Sequence, residues 1–180
     1  MAGFEIHNRT ETQDVWLVGE DENTFAGALL REDFRDYYRR EGLSAYGRYN
    51  VHNYVQLTGR YLRDEFVSLP NTVNWSLFEN KYTNDTFRLN PVIDEGRIHS
   101  VRVGIEVATE KRGRNSHRGW LLSGTVERAG GTFGGDYAFD RYLVDLWGHQ
   151  SLGRDMRFDV RARLGSTDGT LPSQYLFDLG

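Results

Sequence analysis

Apolar residues recur at every second position over stretches much longer than an ordinary strand, and this alternation limits what the chain can fold into. From Met156 to Leu164, Met156, Phe158, Val160, Ala162 and Leu164 alternate with Arg157, Asp159, Arg161 and Arg163. From Arg97 to Thr109, Val101, Val103, Ile105 and Val107 take one face, and Ser100, Arg102, Gly104 and Glu106 take the other. A period of two is that of a strand, because successive side chains point to opposite sides of a sheet. Strands in ordinary globular proteins average about 5 to 6 residues, whereas these hold their pattern for roughly nine to thirteen. A strand that crosses a bilayer needs about 9 to 11 residues and is marked by alternation, not by a solid apolar run.

The same pattern predicts strands over Leu43 to Val51, Tyr54 to Arg63, Trp120 to Glu127 and Tyr137 to His149, with shorter ones near Phe4 to Asn8 and Thr24 to Leu30. In the Tyr137 to His149 stretch the alternation is imperfect, since Leu143 stands among Arg141 and Asp145. His52-Asn53 makes a very short link, and Phe66 to Gly96 reads as a long polar loop. No repeat, low-complexity segment or linker divides the chain, so residues 1–180 are expected to form a single β-barrel domain.

Composition excludes several classes. The chain has 180 residues, 13% aromatic, no cysteine and a formal net charge of −4. That rules out a disulfide scaffold and thiolate metal sites, argues against disorder, and leaves no basic footprint for nucleic acid. No apolar run approaches the roughly 20 residues of a membrane-spanning helix, and Met1-Ala2-Gly3-Phe4-Glu5 has no features of an export signal.

Alternation suits two architectures. A soluble barrel or sandwich turns its apolar face inward. A membrane barrel turns it outward and lines its interior with polar residues. Strand length favours the membrane form, as do mixed charges on the polar faces and aromatics expected near strand ends (Tyr49, Tyr54, Tyr61, Trp120, Tyr137, Trp147). The expected fold is therefore all-β, an antiparallel transmembrane-type β-barrel segment of about eight strands. The candidate lumen-facing polar residues are Arg102, Glu106, Arg141, Asp145, Arg157, Asp159, Arg161 and Arg163. The candidate lipid-facing residues are Val101, Val103, Ile105, Val107, Met156, Phe158 and Val160.

The turn Arg114-Asn115-Ser116-His117-Arg118-Gly119-Trp120, the glycines of Gly130-Gly131 and Gly134-Gly135-Asp136-Tyr137, and the end Leu171-Pro172, Phe177, Leu179-Gly180 carry a resemblance. Over roughly the last 80 residues the chain resembles the barrel of the bacterial surface-antigen family, the outer-membrane assembly and translocation proteins of the BamA and TamA type. In that family a strand ends in Arg-Asp-Asn and an Arg-Gly pair opens the next. Asn115 and Arg118-Gly119 fit, and Arg114 stands where the family has Asp. The segment resembling Leu171 to Gly180 leads, in the family, into a lumen loop with an Arg-Gly-aromatic motif, and the chain stops before one. Family members also carry periplasmic domains, a signal peptide and a final strand ending in an aromatic residue. With none of these present, the resemblance implies a piece of a larger barrel.

No catalytic constellation emerges, and the chain is expected not to be an enzyme. The run Gly130 to Gly135 lacks the Lys-Ser/Thr of a phosphate cradle and reads as a flexible hairpin loop. Ser44, Ser123 and Ser173 lack a nucleophile-elbow pattern, and His7, His52, His99, His117 and His149 are scattered, so no cofactor or metal is expected. Glu106, Asp145 and Asp159 are read as ion-pair partners of the arginines on an inner face. The basic turn Lys111 to Arg118 reads as solvated, on the periplasmic side by the resemblance. The resemblance implies a role in outer-membrane protein assembly, insertion or secretion, with outer-membrane lipid and nascent outer-membrane proteins as partners and the bacterial outer membrane as location. The alternative is a soluble β-barrel binding a small apolar ligand inside.

Overall fold

The computed structural model describes residues 1–12, 37–70, 89–90, 92–109, 119–151 and 156–176. They form seven strands: β1 (Ala2–Thr12), β2 (Tyr37–His52), β3 (Val55–Ser68), β4 (Gly96–Ala108), β5 (Gly119–Ala129), β6 (Phe139–Ser151) and β7 (Arg157–Gly169). Their order in the one sheet is the order of the sequence, with β1 and β7 at its two ends. The chain is all-β and antiparallel, as the alternation predicts. The strand expected near Thr24 to Leu30 lies outside the described residues, as do Lys111 to Arg118, Phe177 and Leu179-Gly180.

β1, β2, β3, β5 and β7 run longer than their sequence estimates, whereas β4 and β6 keep the expected thirteen residues, shifted by one and two positions. β2 begins at Tyr37, and β3 runs to Ser68, into the stretch expected to be loop. Arg63 and Glu65 are exposed there while Asp64 and Phe66 are buried, so the two-residue period continues with a different residue choice. Residues 53–54 alone link β2 to β3. Such a link forces the two strands to pair as a hairpin.

The described residues divide into two compact units. The first holds Met1–Ile6, Gly42–Asp64 and Arg97–Leu171. In it β4, β5, β6 and β7 pair antiparallel in unbroken register. The Gly130 to Gly135 segment, expected to be a flexible loop, is a folded connection. Gly130 N–H donates to the His99 carbonyl (3.1 Å), residues Gly131–Phe133 make a 3-10 turn, and Gly135 bridges back to Ile98. Asp136 N–H donates to the Arg97 carbonyl (2.7 Å) and the Arg97 N–H returns a bond to Asp136 Oδ2 (2.8 Å). This backbone bond, and then the Arg97 guanidinium, hold the exposed Asp136 carboxyl below the ordinary carboxylate pKa. Gly130 and Gly135 have positive φ, and a Cβ at either would fall 2.5 to 2.9 Å from backbone atoms, so glycine is required where the chain doubles back.

The second unit holds His7–Glu41, Glu65–Gly96 and Pro172–Gly180. Its core is aromatic: Phe66 packs against Tyr38 (5.6 Å between ring centroids) and edge-on against Tyr175 (5.7 Å), with the Arg40 guanidinium over its ring. Arg40 is also bonded to Glu11 (3.0 Å), which offsets the cost of covering its charge. Asn90 ties strand ends together, donating to the Tyr37 and Leu69 carbonyls (both 2.6 Å) and accepting from Tyr37 N–H (2.8 Å).

Candidate functional site

The register of the first unit sorts its side chains into two faces of opposite chemistry. Directly opposed residues in a sheet point the same way, so each ladder row belongs to one face. One set of rows reads Val103, Val126, Tyr142, Ser166; then Ile105, Gly124, Val144, Leu164; then Val107, Leu122, Leu146, Ala162; then Trp120, Gly148, Val160. This face is almost wholly apolar, and most of its large residues are exposed. It ends in a charged row, Val101, Arg128, Asp140, Asp168, where Arg128 and Asp140 approach to 3.6 Å.

The other face carries the charges. One row reads Arg102, Glu127, Arg141, Thr167, and another Glu106, Ser123, Asp145, Arg163. Opposite charges directly across a ladder attract, and the structure uses this repeatedly. Glu127, with 3% of its side chain exposed, accepts from Ser100 Oγ (2.7 Å) and from Arg102 Nε and Nη2 (3.1 and 2.8 Å). Asp145 accepts from Arg161 (2.8 Å) and Arg163 (2.6 Å), and His149 Nδ1 pairs with Asp159. In a covered setting such charge-assisted bonds offset the loss of water that each ion suffers.

The named candidates fall as follows. Val101, Val103, Ile105, Val107, Phe158 and Val160 lie on the apolar face, with Val103, Ile105 and Phe158 about half exposed, Val107 less so, and Val101 and Val160 partly covered. Met156 is exposed just ahead of β7. Arg102, Glu106, Arg141, Asp145, Asp159, Arg161 and Arg163 lie on the charged face, and Arg157 holds the register position opposite Ser151. Arg102 pairs with Glu127, a residue the sequence reading passed over, and Asp159 takes His149. Glu127 shares the parity of Ser123 and Thr125, which was a usable signal. Its partner became visible only with the β4–β5 register.

Among the aromatics expected near strand ends, Tyr61 departs from that placement and Trp147 takes an unusual face. Tyr61 sits at mid-length of β3, exposed. Trp147 lies on the charged face, opposite Leu121 and Arg161 and edge-on to His149 (4.3 Å), which with Leu143 explains the imperfect alternation in β6. Trp120 covers the Gly148 backbone across the ladder, so close that a Cβ on Gly148 would fall 2.5 Å from its ring. An aromatic ring over a cross-strand glycine protects a backbone that lacks its own side chain.

β1 to β3 alternate similarly within this unit. Phe4, Ile6, Tyr49, Val51, Leu57 and Tyr61 are exposed, whereas Ser44, Gln56, Leu62 and Asp64 are buried. Among the described residues no helix is long and apolar enough to cross a membrane, which has no bearing on crossing by strands. No family model matches the chain, and neither a curated protein nor a solved structure is significantly similar to it.

Proposed function

We propose that this chain is part of a membrane-spanning β-barrel of a bacterial outer membrane, acting in the assembly or insertion of outer-membrane proteins and not in covalent catalysis. One observation supports the membrane reading above all: the apolar rows are exposed, and the charged rows are ion-paired, with Glu127 buried beneath Arg102 and Asp145 mostly covered by Arg161 and Arg163. In water that arrangement forfeits the hydrophobic effect on the apolar face while charging the cost of ion desolvation on the other. In a bilayer both terms change sign in its favour, because lipid solvates the valine rows and the polar side is kept from it. A soluble barrel holding an apolar ligand would require the valine rows to face inward.

The assembly role rests on the resemblance to surface-antigen barrels and on the edge that β7 presents. β7 is thirteen residues long, and its described side chains are exposed or half-exposed on both faces. Lipid cannot satisfy backbone N–H and C=O groups at a strand edge, so β7 requires a further strand. Backbone pairing at such an edge is how a sheet templates another strand.

Purifying the chain with and without detergent tests the membrane reading, with the fluorescence of a variant that keeps Trp120 as its sole tryptophan read against brominated lipid. The expected result is aggregation in plain buffer, a monodisperse species in detergent, and quenching of Trp120 in vesicles. A monodisperse, folded chain in plain buffer with Val103 and Ile105 protected from solvent would overturn it.

A further inference from the structure

The chain that follows β7 turns back into the second unit, where it is fastened at two kinds of contact. Pro172, Gln174 and Tyr175 are buried, whereas Ser173 and Leu176 are exposed. Residues Ser173–Tyr175 form a 3-10 turn, with Tyr175 N–H donating to the Pro172 carbonyl (2.9 Å) and Leu176 N–H to the Ser173 carbonyl (3.0 Å). Asp94, about eighty residues earlier, holds this turn from both ends of its own residue. Its Oδ2 accepts from Ser173 N–H (2.7 Å), and its carbonyl accepts from Gln174 Nε2 (2.9 Å). The Tyr175 ring then meets Phe66 edge-on, beside Tyr38 and below Arg40.

We propose that Pro172–Leu176 is a strap, latched by Asp94 and seated by Tyr175 on Phe66, that opens and closes as a unit of its own while β5 and β6 stay paired. Short turns of 3-10 geometry hold weaker internal bonds than a ladder does. A segment of five residues held by a 3-10 turn and side-chain contacts opens at lower free energy than strands tied along nine or more register positions on each side. Opening exposes Phe66, an aromatic face with a cation above it, which is a seat for another aromatic side chain. The device does not depend on which solvent meets the apolar face.

Native-state amide exchange on the full folded chain tests it, because exchange through local opening is insensitive to low urea and exchange through global unfolding is not. In the unaltered chain the Tyr175 and Leu176 amides are expected to exchange faster than those of Val126 and Tyr142, and independently of urea. Asp94→Ala removes the Oδ2 acceptor and should speed strap exchange about tenfold or more, since a hydrogen bond to a charged group is lost, with β5 and β6 unchanged. Gln174→Ala tests the second latch bond separately. Asp94→Asn, which retains an acceptor, should restore most of the protection. Equal protection of the strap and of β5 and β6 in the unaltered chain would overturn the proposal, as would strap exchange that neither alanine variant changes.

Discussion

Replacing Ile105 with arginine distinguishes the two solvents that its face could meet. Ile105 is 45% exposed and stands in the row with Gly124, Val144 and Leu164. Along β4 it is four residues from Val101, which opposes Arg128 in the charged row. At ~3.4 Å per residue that is about 14 Å along the strand. At the tilt of about 40° usual in membrane barrels it corresponds to a depth of about 10 Å, close to the middle of an apolar band ~25 Å tall. A lipid-facing arginine there costs about 2–4 kcal/mol, falling to about 0–1 kcal/mol near the interface. Val101→Arg, at the charged row, is therefore the matched control. Both variants lose some aliphatic packing, so the difference between them reports mainly on depth. In lipid, Ile105→Arg should be less stable than Val101→Arg by about 2–3 kcal/mol. In water, exposed substitutions stay within about 0.5 kcal/mol and the difference disappears. Reversible urea unfolding of the chain refolded in phosphatidylcholine vesicles, followed by tryptophan fluorescence, measures it. A difference below about 0.5 kcal/mol would refute the reasoning, as would an Ile105→Arg chain that is monodisperse without detergent.

Other outcomes follow from the charged face and the turns. Glu127→Ala removes the buried carboxylate that Ser100 and Arg102 bond and should cost about 3 kcal/mol, the low end for a broken covered pair because Arg102 reaches solvent. A double-mutant cycle with Arg102→Met should return a coupling of about 1–3 kcal/mol, and a coupling near zero would show that the pair contributes nothing. Gly148→Ala places a methyl inside the Trp120 ring position, so in a chain whose sole tryptophan is Trp120 it should shift the emission, and it should destabilise by about 1–3 kcal/mol; an unshifted spectrum would contradict the close approach. Asp136 should titrate below free aspartate in an NMR pH series. Because its folded-state pKa is the lower, its contribution to stability is present above the unfolded value and is lost as pH falls through the folded one. Asp136→Asn should abolish that acid dependence.

Much of the fold was readable because a period of two is a local property: each side chain's face depends only on its parity within its strand. This holds for β4 from Ser100 to Val107 and for β7 from Arg157 to Leu164, where residue type and parity agree. It was harder to read in β6, since Leu143, between Thr125 and Gly165, and Trp147, beside Leu121 and edge-on to His149, stand on the charged face. Strand ends were misjudged at β3 because past Leu62 the exposed positions become Arg63 and Glu65, and alternation of charge against buried Asp64 and Phe66 carries no hydropathy signal.

Alternation along the chain thus determined the strands, their hand-over between faces and the opposition of apolar to charged residues, because these follow from backbone geometry at each position. Which ions meet was decided only by the tertiary structure. The β4–β5 register sets Glu127 directly across from Arg102, with Ser100 completing the site. The fastening of Pro172–Leu176 by Asp94 was likewise invisible in the sequence, since a contact spanning some eighty residues depends on where the strands between them deliver the chain. Parity acts over a few residues, whereas register and closure are set by the whole sheet.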